Sequence, residues 1–300
     1  MILTLTPNPA LDVTYHVNAL EPGATHRVRA VHRRAGGKGL NVSRVLHEQG
    51  AVTRVLAPCG GASGGELRAD LDAAGIAHAL LPVATPTRST VAVVADGDEA
   101  TLFNEPGQPL ADPDWERLGA LVADHLAHAS VLVCSGRLPP GTDPGHLGSL
   151  VRAAHAAGAP VLVDTSGPAL QVAAEAGADV LKPNADELRD ATGQDDPRRG
   201  AEQLRELGAG AVVGSLGPSG LLAVTGRGTW HAGPPREIHG NPTGAGDAAV
   251  GALALGMARG DSWPERLRVA AAWSAAAVAA PIAGSLDPGV LAELHVQDGS

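Results

Sequence analysis

The chain has 300 residues and a formal charge of −10, from 22 Lys and Arg against 32 Asp and Glu, with 44% hydrophobic residues, 39 Gly and 23 Pro. The acidic balance and 2% aromatic content exclude a nucleic-acid groove, which needs basic surface and stacking rings. The apolar content suffices for a core and the glycines follow no three-residue period, so disorder and collagen are excluded; the length fits one large domain, residues 1–300, with an appendage.

The opening run MILTLTPNPALDVTYH has no basic n-region, is broken by Pro7 and Pro9, and carries Asp12 just after a first strand, so no secretory signal is expected. Residues 15–34 alternate apolar and polar character, as in His26-Arg27-Val28-Arg29-Ala30, around a Pro22-Gly23 turn. Ala35-Gly36-Gly37-Lys38-Gly39-Leu40-Asn41 then leads into the helical run NVSRVLHEQG. Residues 89–104 read as a hairpin around Asp96-Gly97-Asp98, because Asp-Gly supplies the positive φ that tight hairpins need. Strands that alternate in this way form a sheet with one wet face, and a small β lid is predicted from insertions at about 13–34 and 88–105. From the middle onward short β-branched runs (131–134, 160–164, 179–182 and 211–215) alternate with helical segments (146–157, 168–176, 184–192 and 197–207). Runs apolar on both faces, joined by crossover helices, predict a doubly wound, mostly parallel sheet covered by helices. Residues 269–284 are Ala-rich, shorter than a membrane span and interrupted by Ser274 and Pro281, and read as a buried helix. Cys59 and Cys134 have no disulfide or metal-type spacing, which fits a reducing cytoplasm.

The sharpest local signal is Asn241-Pro242-Thr243-Gly244-Ala245-Gly246-Asp247 before a helix. Glycines at a helix start let the backbone approach an anion, and the free N–H groups and dipole of the first turn favour phosphate oxygens. A carboxylate beside such a nest is repelled by phosphate, so Asp247 has a use there as the base that takes a proton from an alcohol attacking the held phosphoryl group. The string also fits a dinucleotide fingerprint, but no strand precedes it, and a Walker A loop is excluded because Gly39 follows Lys38 and His32 stands where the first glycine belongs. Gly36, Gly37, Lys38 and Asn41 suit a polyol or phosphate held against backbone, and Asp12 can accept hydroxyl hydrogen bonds. His125 and His128 lack a third ligand nearby in sequence and read as surface residues.

Eight motifs occur in one order: Asn8-Pro9-Ala10-Leu11-Asp12, the 35–41 loop, Asn104 to Gly107, Ser135-Gly136 with Leu138-Pro139-Pro140-Gly141, Asp164 to Gly167, Lys182-Pro183-Asn184 with Glu187, Ser215 to Gly217, and Gly244 to Asp247. Together, over roughly residues 1–285, they resemble the PfkB (ribokinase-like) sugar kinases, in the 1-phosphofructokinase and tagatose-6-phosphate kinase branch. The resemblance implies a ribokinase-like α/β core with a β lid and Asp247 as catalytic base, with the Gly244, Ala245 and Gly246 amides as its anion hole. It implies ATP and Mg²⁺, with Asn184 and Glu187 organising the metal largely through water and Lys182, Ser215, Gly217 and Gly220 on the nucleotide. Gly284, with Pro281, is expected beside the adenine.

Lys38, Arg88 and Arg27 match cations of the phosphosugar branch, and a phosphate dianion leaving water must be paired. Arg137 departs from the family's usual serine and either contacts the substrate phosphate or fills the pocket. Pro242 and Ala248 also depart from the commoner Thr and Ser. The implied reaction is direct in-line transfer from ATP to a ketohexose phosphate, fructose 1-phosphate first, with tagatose 6-phosphate, fructose 6-phosphate or a non-catalytic binder as alternatives. A homodimer through the lid is a further expectation; nucleic acid and membrane are not expected partners.

Overall fold

The computed structural model describes residues 1–96, 100–233, 238, 240, 242–280 and 282–296. In chain order the elements are β1 (Ile2–Leu5), β2 (Ala10–His16), β3 (Ala30–Gly36), α1 (Lys38–Glu48), β4 (Thr53–Cys59), α2 (Gly61–Ala73), β5 (His78–Pro82), β6 (Arg88–Val94), β7 (Thr101–Asn104), α3 (Asp112–Leu126), β8 (Val131–Ser135), α4 (Gly145–Ala156), β9 (Val161–Asp164), α5 (Pro168–Glu175) and β10 (Val180–Leu181). There follow α6 (Ala185–Thr192), α7 (Pro197–Glu206), β11 (Ala211–Ser215), a 3₁₀ turn (Gly217–Ser219), β12 (Leu221–Thr225), β13 (Gly228–Ala232), α8 (Ala245–Arg259), α9 (Trp263–Ala279) and α10 (Pro288–Val296).

The main sheet has the order β13-β12-β11-β10-β9-β8-β1-β4-β5, parallel from β11 to β5, with β12 and β13 added antiparallel. Its central strands are buried on both faces, as their continuous apolar runs predict. Leu3, Leu5, Leu132 and Cys134 pack with α3, α4 and α5 residues on one side, and Ile2, Val131 and Val133 pack with α1, α8 and α9 residues on the other. The chain winds from β1 outward through β4 and β5, then returns to place β8 on the other flank of β1. Strand order therefore reverses between β1 and β8, and the crevice beyond their carboxyl ends is where such sheets bind ligands.

The second sheet has the order β3-β2-β6-β7 and is antiparallel except between β2 and β6. The Pro7 and Pro9 break carries the chain from one sheet to the other in four residues, so Asp12 lies inside β2 rather than after β1. One row across this sheet is polar, Arg34, Asp12, Thr90 and Asn104, and the next is Arg33, Val13, Val91 and Phe103, with Val13 buried. The alternation read at His26–Ala30 does not form a strand: β3 starts only at Ala30, and the Arg29 guanidinium turns back to the Val17 carbonyl and to Asp96. Gly97 and Asp98 of the hairpin turn, Asn241 and Pro281 lie outside the described residues.

The helices expected in the middle of the chain lie within two residues of their sequence bounds. Two others start early: α1 at Lys38, directly after Gly37 at φ 107°, and α9 at Trp263, where Pro264 stands in the first turn. Cys59 and Cys134 are free and buried. Among the described residues no helix is long and apolar enough to cross a membrane.

Candidate active site

The N-terminus of α8 faces the crevice. Gly244 caps it at φ 89°, with the following chain so close that a Cβ would lie 3.0 Å from the Ala283 Cα; only glycine fits without strain. Asp247, in the first turn and 6% exposed, accepts a 2.8 Å hydrogen bond at Oδ2 from the Asn41 side-chain amide. Burial, and then the negative charge of Asp164, push its carboxyl up to about 7, against the opposing pull of Asn41, Lys38 and Lys182. The Ala245 amide donates to the Pro242 carbonyl at 3.2 Å, while helix geometry leaves the Gly246 and Asp247 amides without an intrahelical acceptor.

Beside Asp247 stands a polar cluster from the ends of β8, β9, β10 and β11 and the start of α1. Asp164 ends β9 and accepts 2.9 Å from the Ser135 hydroxyl at the end of β8. The Lys38 and Lys182 ammonium groups lie 3.3 and 3.7 Å from its oxygens. Burial alone would raise the Asp164 pKa, but Lys182, Lys38 and the Ser135 hydrogen bond hold it below the usual carboxylate range. Burial likewise disfavours charge on Lys38, yet Asp164, Glu187 and Asp247 keep its pKa above that of an ordinary lysine. Lys182 also donates to the Ser215 hydroxyl at 3.4 Å, and a Cβ on Gly246 would lie 3.6 Å from its ammonium. Lys38 thus faces the carboxylates near α8.

Asn184 and Glu187 form a reciprocal capping box on α6: the Glu187 amide donates to Asn184 Oδ1 at 2.8 Å and the Asn184 amide to Glu187 Oε2 at 2.9 Å. This fixes Glu187 and leaves its Oε1 3.9 Å from Lys38. Ser215 leads into a loop closed by the Leu216 amide on the Gly220 carbonyl, 2.8 Å, with Gly217 and Gly220 at positive φ. A Cβ on Gly220 would run into the Ala232 carbonyl. Gly284, at φ 79°, sits against Asn41, where a Cβ would lie 3.1 Å from Oδ1, so the structure places it at the Asn41–Asp247 pair.

In the small sheet a Cβ on Gly36 would collide with the Asp12 carboxylate, so the glycine makes room for that side chain. Burial pushes Asp12 up to about 6, opposed by Arg88, Arg34 and a hydrogen bond from Thr90. Arg88 is pinned by the Asn8 carbonyl, 3.3 Å, and the Glu105 carbonyl, 3.1 Å. Gly36, Gly37, Lys38 and Asn41 span the short path from Asp12 to Asp247, so these expected site residues are brought together. Arg27 is not among them, being exposed in the irregular segment before β3, and exposed Arg137 lines a cleft of about 460 Å³ on the Glu187 side of the site, with Ser166, Gly167 and Asp190, rather than beside Arg88. Among the described residues no three His, Cys, Asp or Glu side chains gather to cage a metal, and His125 instead meets the Leu121 carbonyl.

Sequence reasoning gave no role to Asp164, Ser135 or Arg34. The signal available for the first two was their place at the carboxyl ends of adjacent parallel strands; Arg34 carried none.

Residues 6–288 match the family described as pfkB family carbohydrate kinase. The chain is 38% identical to a 1-phosphofructokinase of Xanthomonas campestris pv. campestris over 85% of this chain and 83% of that protein. It is 33% identical to an ATP-dependent 6-phosphofructokinase isozyme 2 of Mycobacterium tuberculosis over 93% of this chain and 84% of that one. A crystal structure of phosphofructokinase-2 from Escherichia coli superposes with a TM-score of 0.93 at 31% identity, covering 100% of this chain and 99% of its own. With its two sheets, the glycine-capped α8 and a match running nearly end to end, the chain belongs to the pfkB family of carbohydrate kinases.

Proposed function

We propose that the chain transfers the terminal phosphoryl group of ATP to a phosphorylated ketohexose, with fructose 1-phosphate as acceptor and fructose 1,6-bisphosphate as product. The reading rests on Asp247: a buried carboxylate, oriented by Asn41, at the glycine-capped start of a helix, with a pKa of about 7 suited to take a proton near neutrality. Asn41 occupies one carboxylate oxygen and leaves the other for the acceptor hydroxyl. The amides of the first turn of α8 receive phosphate oxygens, and Lys38 and Lys182 offset their charge. Asp12 and Asn41 hold sugar hydroxyls, while Arg88, fixed by the Asn8 and Glu105 carbonyls and the Thr90 hydroxyl, keeps one Nη2–H and its charge for the phosphate already on the sugar.

Mg²⁺ suits this donor set only as an ion that keeps most of its water: the capping box leaves one Glu187 oxygen, and Asp164 is already engaged by two lysines and a serine. Held there through water by Asn184 and Glu187, it would supply charge neutralisation for the phosphates. Fructose 6-phosphate is the second reading, because relatives of similar identity carry the 6-phosphofructokinase name.

ADP release coupled to a reporter, measured with fructose 1-phosphate, fructose 6-phosphate, tagatose 6-phosphate and fructose, tests the assignment. The expected order puts fructose 1-phosphate first in kcat/KM, and a higher value for fructose 6-phosphate replaces it with the second reading. Asp247→Asn is expected to lose about 10²–10⁴-fold in kcat with ATP still bound; turnover near that of the native enzyme rejects Asp247 as the base.

A further inference from the structure

Arg34 stands in the polar row of the small sheet, paired across β2 with Asp12, yet its guanidinium reaches out of that sheet. Its Nη1 donates at 2.8 Å to the carbonyl of Ala283, 249 residues away in sequence. Ala283 and Gly284 form a turn that packs against Asn41 on one side and Gly244 on the other. A Cβ on Gly284 would lie 3.1 Å from Asn41 Oδ1, and one on Gly244 would lie 3.0 Å from the Ala283 Cα. Asn41 is the hydrogen-bond donor to Asp247, and Gly244 caps the helix that carries it. The Arg34 side chain therefore connects β3, the strand paired with the β2 strand that bears Asp12, to the wall of the Asp247 pocket. Its charged neighbours are Asp12 on β2, Arg44 and Glu48 on α1 and Asp70 on α2. Asp70 is already engaged by Arg44 at 2.7 Å and by the Ala35 amide at 2.9 Å, which leaves the Ala283 carbonyl as the hydrogen-bond acceptor Arg34 uses.

We propose that Arg34 is a positioning residue: by holding the Ala283 carbonyl it seats the 283–284 turn against Asn41 and Gly244, and so fixes the base from the strand that neighbours Asp12. The proposal rests on the reading of Asp247 and Asp12 given above. Its physical content is that the Gly284 backbone packs directly against Asn41. When the turn relaxes, Asn41 and the first turn of α8 gain freedom, the carboxylate samples misaligned positions, and the step that needs alignment slows. Nucleotide binding, which draws on Ser215–Gly220, is unaffected.

The test is steady-state kinetics on Arg34→Met, which keeps the stem and removes the donors; Arg34→Lys, which restores a cation and a donor; Gly284→Ala, which disturbs the same turn from its other end; and the Arg34→Met/Gly284→Ala double variant. The expected result is a fall of between about tenfold and a hundredfold in kcat for Arg34→Met, the range a misplacement of about 1 Å produces, with KM for ATP within about twofold of native. Arg34→Lys is expected to recover most of the loss. The double variant is expected to lose less than the product of the single losses, since both act through one turn. A native kcat in Arg34→Met, a KM for ATP that rises in step with the fall in kcat, or losses that multiply independently would each overturn the proposal. Asp247→Asn measured alongside separates the two claims. Survival of turnover there removes the base assignment itself, whereas its collapse beside a fully active Arg34→Met removes only the role of Arg34.

Discussion

Asp247 and Asp12 are both carboxylates whose pKa burial raises, to about 7 and about 6, and both act in their ionised forms in the proposed reaction. The sign follows directly: lowering the pH through each value protonates the group and removes activity. A plot of log kcat/KM against pH, which reports the free enzyme, is expected to fall with a slope near one between pH 7 and 6 and near two below pH 6. A profile that stays flat to pH 5 would show that neither carboxylate carries the reaction. Asp247 was legible in the sequence because its glycines and its helix lie in one short string. Asp164 was not, because its meaning comes from Lys38, 126 residues away, and from Lys182 and Ser135 on neighbouring strand ends. Arg34 is the extreme case, its acceptor lying 249 positions along the chain. Lys38 is expected from its motif at the acceptor phosphate, and the fold sets its ammonium between Asp164 and Glu187.

The elements carrying these side chains depend on local signals that sequence reading recognises well. α6 begins with a capping box, α7 with Asp196 accepting from the Arg198 amide ahead of a first-turn proline, and α8 ends at Gly260 in the left-handed region. The Asn184 and Glu187 pair, read as organising metal and phosphates, serves first as that capping box, which also explains why the two residues sit three apart. The alternation at His26–Ala30 shows the limit: pairing with β2 begins at Ala30, with the Arg29 amide on the His16 carbonyl at 2.8 Å, while the Arg29 guanidinium turns to Val17 and Asp96. The most exacting element is the start of α8, where Gly244 combines a positive φ with close contact to the Ala283 backbone. Gly244→Ala is expected to cost about 1–2 kcal/mol from the left-handed backbone alone, with a further loss from that contact. Urea denaturation measures the stability, and kcat is expected to fall in the same variant because the phosphate-facing amides move. A variant with native stability and turnover would mean that the turn accommodates a side chain.

At the scale of the whole molecule, two sheets of different character meet over one crevice: the large one buried on both faces and contributing Asp164, Lys182 and Ser215, the small one presenting its polar row with Asp12. Arg34 pins one corner of the small sheet to the 283–284 turn, whereas β7, at the far edge, is exposed along its whole length. We propose that the small sheet serves as a lid, in which the exposed edge strand β7 and its neighbour β6 have the most to gain from ligand contacts. Closure of this kind excludes water from the transferring phosphoryl group and limits hydrolysis of ATP. Hydrogen exchange followed by mass spectrometry, with and without a saturating ketohexose phosphate, is expected to slow most in residues 88–94 and 101–104, less in 30–36, and not at all in the buried strands β8 and β9. Equal protection of both sheets would point to general stabilisation by bound ligand, and no protection of the small sheet would mean that it is a fixed wall of the site rather than its lid.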